Sequence, residues 1–140
     1  RSTAAPSELP MGNVQLAGLM LRDPAPGDED YVFVVLGQDE NDLSVETKST
    51  DDSVSTYEGP SWSQGEAQLR LCRVGSEFVA LKRASPMDNW ETAQTWSRPD
   101  LPGTLQIGLN IYTASTPDIT AHFEFFRVEP LDQIANCALD

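Results

Sequence analysis

The sequence predicts an antiparallel two-sheet β-sandwich. Three observations carry that expectation. Apolar residues recur with period two, in runs rich in β-branched and aromatic residues. Proline, glycine and aspartate clusters interrupt these runs at short intervals. No amphipathic helical pattern occurs before residue 130, and only 131–138 fits a short terminal helical turn.

The elements follow in order. Residues 13–22 are almost wholly apolar, as in a strand covered on both faces, and the run Asp23-Pro24-Ala25-Pro26-Gly27 ends it, since proline removes ladder donors and fixes φ. Residues 31–37 make a second strand, and the polar turn 38–41 leads to a third, 42–49. There Leu43, Val45 and Thr47 alternate with Ser44, Glu46 and Lys48. Asp51-Asp52 turns the chain into 53–58, which Gly59-Pro60 closes. Residues 67–74 and 77–84 read as a hairpin about Gly75-Ser76. A polar loop, 85–89, precedes 90–96, and the breakers 98–103 precede 104–112, where Leu105, Ile107, Leu109 and Ile111 alternate with Gln106, Gly108, Asn110 and Tyr112. A ninth strand is expected over 119–128, carrying Phe123, Phe125 and Phe126. The alternation assigns Leu69, Leu71, Phe78, Trp90, Leu105, Ile107, Leu109, Phe123 and Phe125 to the core.

Composition narrows the function classes. A chain of 140 residues suits a single domain, 1–140, and can bury a core without a metal or disulfide scaffold. With 22 acids against 9 bases, nucleic acid and anionic membrane surfaces are improbable partners, because both attract basic patches. No apolar run approaches the ~18 residues of a membrane span. One histidine, His122, and two cysteines, Cys72 and Cys137, exclude a four-ligand His/Cys zinc site. Acidic charge is concentrated in residues 23–66, where twelve acids face the single base Lys48. The chain opens Arg1-Ser2-Thr3 rather than with Met, which implies processing. Together with the acidic, cysteine-poor composition, this leads to an expected extracellular or periplasmic setting of bacterial type. Cys72 lies in a strand and Cys137 in the tail. Either they form a disulfide that ties the tail to the sandwich, at ~3–4 kcal/mol by chain entropy, or they are two thiols with Cys72 packed as a small hydrophobe.

An ordered set of segments carries a family resemblance. It comprises Ala17-Gly18-Leu19-Met20-Leu21-Arg22-Asp23, Glu46-Thr47-Lys48 with Ser53-Val54-Ser55-Thr56-Tyr57, and Leu69-Arg70-Leu71-Cys72-Arg73-Val74-Gly75. Trp90, Arg98-Pro99-Asp100-Leu101-Pro102, Leu105-Gln106-Ile107-Gly108-Leu109 and Ala121-His122-Phe123-Glu124-Phe125-Phe126-Arg127-Val128 follow. Over about residues 13–128 the chain resembles the concanavalin-A-like jelly-roll domains of the regulation of enolase protein 1 family, related in shape to laminin-G and lectin sandwiches; residues 129–140 form a tail beyond it. The resemblance implies an accessory module of secreted proteins that act on polysaccharides, and no defined catalytic site. It also implies further strands before residue 17, so the chain is expected to be truncated at its N-terminus. The missing strands would come from a separate chain or from another copy.

The side-chain chemistry points the same way. Glycoside hydrolysis needs two carboxylates about 5–9.5 Å apart, and no paired-acid strand motif is present; Glu124 stands beside His122 on one strand face, a pairing read as surface structure. Asp28-Glu29-Asp30 and Asp39-Glu40-Asn41-Asp42 are the only plausible calcium ligands, and no other cofactor is expected. Sugar rings stack on aromatic faces while amides satisfy their hydroxyls, so Trp62, Gln106, Asn110 and Tyr112 are the candidate ligand-binding residues. Trp90 and Trp96 are assigned to packing. The expected function is a non-catalytic extracellular binding module with a glycan or a neighbouring protein domain as partner. The alternatives are a self-assembling structural module completed by a strand from another chain, and a polysaccharide hydrolase.

Overall fold

A computed structural model describes residues 14–39, 42–113 and 120–139. Eight strands make two antiparallel sheets: β1 (Gln15–Arg22), β2 (Tyr31–Asp39), β3 (Asp42–Asp51), β4 (Val54–Glu58), β5 (Gln68–Val74), β6 (Glu77–Arg83), β7 (Glu91–Ser97) and β8 (Gln106–Thr113). The larger sheet has the order β4-β3-β2-β1-β8 and the smaller the order β5-β6-β7. The molecule is an all-β sandwich, compatible with a jelly-roll-like fold.

Hydrophobic patterning explains the layering. β2, the middle strand of the larger sheet, is buried without interruption from Val32 to Gln38, which is why its sequence is a continuous apolar run. Val34, Leu36 and Val45 pack against Ala80 from the smaller sheet, with Leu69, Leu71 and Trp96 around them. Leu21 and Val32 pack against Phe78, and Leu101 from the loop after β7 closes that end of the core. On the opposite face of the larger sheet, Leu16, Phe33 and Val35 form a separate buried cluster. Gly75, at φ 60°, supplies the left-handed residue of the β5–β6 hairpin. At the β3–β4 turn Asp52 and Ser53 both have positive φ, and the loop before β2 clamps them there: the Asp52 amide donates to Asp30 Oδ1 at 2.9 Å and the Ser53 amide to the Glu29 carbonyl at 3.0 Å.

Arg98 fastens the two sheets at that end. Its guanidinium is buried, donates through Nη1 to Ser49 Oγ at 2.8 Å and to the Thr50 carbonyl at 2.7 Å, and ion-pairs through Nη2 with Asp100 at 2.5 Å and Asp30 at 3.4 Å. The hydrogen bond from Arg98 holds the Asp100 carboxyl below its ordinary pKa, and the same bond raises the guanidinium further.

Two sequence expectations need correction. Residues 120–128 form no strand, although the ninth was expected there; Ile119 lies outside the described residues. Phe125 is 63% exposed. Ile107 and Leu109, assigned to the core, are 46% and 47% exposed. Their strand phase is nevertheless right: Ile107 pairs with Leu21 and Leu109 with Leu19, both on the inward face. Among the described residues no strand lies opposite them, because β5 packs over β1 and β2 while β7 packs over β3. Leu69, Leu71, Leu105 and Phe123 are correspondingly only half-buried, and Phe78 alone of the nine is fully enclosed. Trp90 sits outside the core on the far face of the smaller sheet, its ring between the guanidinia of Arg70 and Arg83 at 4.3 and 4.2 Å.

Cys72 and Cys137 are joined by a disulfide that brings the terminal 3₁₀ turn, Ile134–Ala138, onto β5 and β6. Arg70 reinforces the attachment by donating to the Cys137 and Leu139 carbonyls, each at 2.6 Å. The bridge closes a loop of 65 residues. Its loss in a Cys72→Ser/Cys137→Ser variant should cost about 4 kcal/mol by loop entropy, read as a lower urea midpoint with a steeper slope, since the unlinked unfolded chain expands. Arg98→Ala should cost about 3–5 kcal/mol, the range for removing one partner of a buried ion pair. Asp100, with its folded pKa lowered, contributes stability that is complete above the ordinary carboxylate range and is lost as pH falls through the folded value. Melting curves of Arg98→Ala should therefore show a shallower acid limb than wild type.

Candidate functional site

The site is built on the outward face of the larger sheet. The ladder registers place Gln106, Gly108, Asn110 and Tyr112 of β8 beside Arg22, Met20, Gly18 and Leu16 of β1. The same face continues through Phe33, Val35 and Gly37 of β2 to Lys48, Glu46 and Ser44 of β3, and Lys48 pairs with Tyr57 of β4. Gly18, Gly37 and Gly108 contribute no side chains to this face, so its longer side chains have room to lie across the sheet.

Lys48 uses that room. Its ammonium lies 5.1 Å from the ring centre of Phe33, 5.8 Å from that of Tyr57 and 5.3 Å from that of Tyr112. Tyr112 belongs to β8 and Lys48 to β3, so the two side chains reach toward each other over the intervening β1 and β2. Tyr31 stacks on Phe33 with 5.9 Å between ring centres. The result is an aromatic surface with a cation at its centre, and the attraction of a ring face for an ammonium holds it together. Tyr57 and Tyr112 are the exposed members, at 65% and 42%.

Glu46 adds the opposite charge. Its carboxylate is 3.9 Å from Lys48 Nζ and is almost fully buried. Burial pushes its pKa up, Lys48 pulls it down, and nearby Asp39 pushes it up again, for a net rise. Ser44 lies on the same face, and among the described residues its buried Oγ has no hydrogen-bond partner. Gly59 leaves the space between them open, since a Cβ there would come within 3.2 Å of Asp39 Oδ2 and 3.7 Å of Ser44 Oγ.

Of the four predicted ligand-binding residues, Gln106, Asn110 and Tyr112 are therefore neighbours on one face, and Trp62 is elsewhere. Trp62 packs against the main core at the edge of β3, donates through Nε1 to the Glu66 carbonyl at 3.1 Å, and carries the Lys82 ammonium 4.9 Å from its ring centre. Sequence reasoning overlooked Tyr57, Lys48 and Glu46. The available signal was Lys48 itself, the only base in the acidic stretch 23–66, on the polar side of an alternating strand.

The residues expected as calcium ligands lie in different surroundings. Asp30, Asp51 and Asp100 converge, with oxygens within 4.8 Å of one another, around the guanidinium of Arg98. Asp28 accepts from Ser53 Oγ, and Ser53 Oγ accepts from the Glu29 amide. Asp39 and Asp42 flank the turn into β3, while Glu40 and Asn41 lie outside the described residues. His122 and Glu124 are both exposed.

Comparison with family models, with curated proteins and with solved structures finds no match to this chain.

The buried carboxyl gives the site a pH signature. With its folded pKa raised, Glu46 favours the folded state below its ordinary pKa, and that contribution is lost as pH rises through the folded value. Glu46→Gln should therefore melt above wild type at pH 7, and the gap should close by about pH 4, below the ordinary glutamate value. A gap that persists unchanged at low pH would place the effect in packing rather than in charge.

Proposed function

We propose that the protein is a non-catalytic, secreted binding module that holds a glycan on the outward face of its larger sheet. The observation that carries this reading is the arrangement of Tyr112 and Tyr57 about Lys48, with Asn110 and Gln106 along the same strand as Tyr112. Pyranose rings present C–H faces to aromatic side chains, and their hydroxyls need donors and acceptors at the edges. Exposed tyrosines next to amides and an ammonium meet both needs. The resemblance to concanavalin-A-like domains of the regulation of enolase protein 1 family supports the same assignment, as an accessory part of polysaccharide-active proteins. On this reading the protein works outside the cytoplasm, needs no cofactor, and has neither nucleic acid nor membrane as a partner.

A second reading rests on Glu46. A carboxyl with a raised pKa is one of the two that glycoside hydrolysis requires, and Asp39 is near enough to raise it further. Lys48, at 3.9 Å, favours the ionised form and so opposes a general-acid role, which keeps this reading second.

Affinity electrophoresis against a polysaccharide panel separates the two. Tyr112→Ala should weaken binding about tenfold, the equivalent of 1.4 kcal/mol and within reach of one lost aromatic contact. Trp62→Ala should leave affinity unchanged if it only packs. Reducing-sugar release that vanishes in Glu46→Gln would support the hydrolase instead, and failure of the wild-type protein to retard on any polysaccharide would remove both.

A further inference from the structure

The inward face of the larger sheet changes character along β3. Leu43 and Val45 belong to the core, whereas the next inward residues, Thr47 and Ser49, carry hydroxyls. Thr56 and Glu58 of β4, paired with Ser49 and Thr47, extend that polar row to the edge of the sheet. β7 packs over β3 rather than over β4, and a groove runs between β4 and β7. Its narrow part, about 70 Å³, has Thr47 and Thr56 on one wall and Gln94 and Trp96 on the other. Thr56 also lines the wider part, a hollow of about 480 Å³ shared with Ser49, Val54 and Arg98. That volume falls in the range of small-molecule sites, ~300–1,000 Å³.

The fold leaves much of the groove's hydrogen-bonding capacity unused. Thr47 Oγ1 donates to the Glu58 carbonyl and Thr56 Oγ1 to the Ser49 carbonyl, each at 3.5 Å, well beyond the ~2.7–2.8 Å of a good hydroxyl bond. Ser49 Oγ accepts from Arg98 Nη1 at 2.8 Å, which leaves its own proton to donate. Gln94 Oε1 accepts from the Thr95 amide at 2.9 Å. Among the described residues, neither the Gln94 NH2 group nor Trp96 Nε1 has a partner. Hydroxyls and an amide beside an indole are the groups that satisfy sugar hydroxyls.

Charge selects among sugars. Asp51, Asp52 and Glu58 line the groove as exposed carboxylates. Arg98 has its donors committed to Ser49, the Thr50 carbonyl, Asp30 and Asp100. An anionic ligand would meet repulsion here and no cation able to turn toward it.

We propose that the groove between β4 and β7 is a second saccharide site, taking a neutral oligosaccharide with one unit in the hollow beside Ser49 and Thr56 and the next against Gln94 and Trp96. The proposal does not rest on the outward-face reading. β4 separates the two surfaces, and each stands or falls on its own residues.

Nuclear magnetic resonance titration of the full chain, disulfide intact, tests it with maltotriose, cellotriose and mannotriose, and with trigalacturonate as the charged counterpart. At least one neutral trisaccharide should shift the Trp96 indole N–H and the Gln94 side-chain amide, and trigalacturonate at the same concentration should not. Thr56→Phe, which fills the groove from an exposed position, should weaken that binding at least about tenfold while the β2 amides keep their shifts. Thr56→Val keeps the shape, removes one hydroxyl and should weaken it about fivefold, and it decides the matter if the larger side chain disturbs the fold. Silence at Trp96 and Gln94 with all three neutral sugars would overturn the proposal. Shifts confined to Tyr112 would do the same and leave the outward face as the only saccharide surface. Equal binding of trigalacturonate, or groove shifts undiminished in both Thr56 variants, would overturn it as well.

Discussion

The width of the smaller sheet is the constraint from which most of the molecule follows. Among the described residues, three strands packed over β1, β2 and β3 enclose the centre of a five-stranded sheet and leave its margins open. The core accordingly lies under β2 and β6, where Val34, Leu36 and Phe78 are buried almost completely. Apolar residues of equal sequence quality stay exposed one strand further out, as Leu109 does beside Leu19. Burial in a sandwich is a property of the opposing layer as much as of the strand itself.

Two cations organise the acidic half. The stretch 23–66 carries a surplus of carboxylates that would repel one another in a compact state. Lys48 answers this from within the stretch, between three rings and beside Glu46. Arg98 answers it from outside, reaching from the end of β7 to Asp30, Asp51 and the β3 backbone. The first cation lies on the outward face and the second at the end of the core. Part of that acidic charge, at Asp28, Asp30 and Asp51, holds loops to strands.

The strands and turns were legible because they depend on local rules, on period two in 104–112 and on Gly75 or Asp51-Asp52 at the turns. The faces of β8 were legible for the same reason, and this put Gln106, Asn110 and Tyr112 together before any coordinates. What pairs with what across space was not. Nothing in the sequence set the smaller sheet at three strands, so Ile107 and Leu109 were assigned to a core that stops short of them. Trp90 was assigned to the core and lies outside it for a related reason. An indole near a strand end packs against whatever element arrives there, and for Trp90 those elements were the guanidinia of Arg70 and Arg83. The aromatic cluster about Lys48 needed four strands in register, a long-range fact that no single window contains.

β8 is the point where the two faces of the sheet meet in one element. Its even-numbered residues look outward to the tyrosine–lysine surface and its odd-numbered ones inward to the gap. Among the described residues the strand is held by backbone bonds to β1 on one side only, as an edge strand is. A tyrosine can serve as a firm stacking surface only if the strand beneath it holds still, because each degree of freedom frozen by a ligand subtracts from affinity. Burial of the inward row would steady β8 without touching the outward face. The exposed row Ile107, Leu109 and Ile111 and the surface around Tyr112 are therefore two faces of one mechanical element.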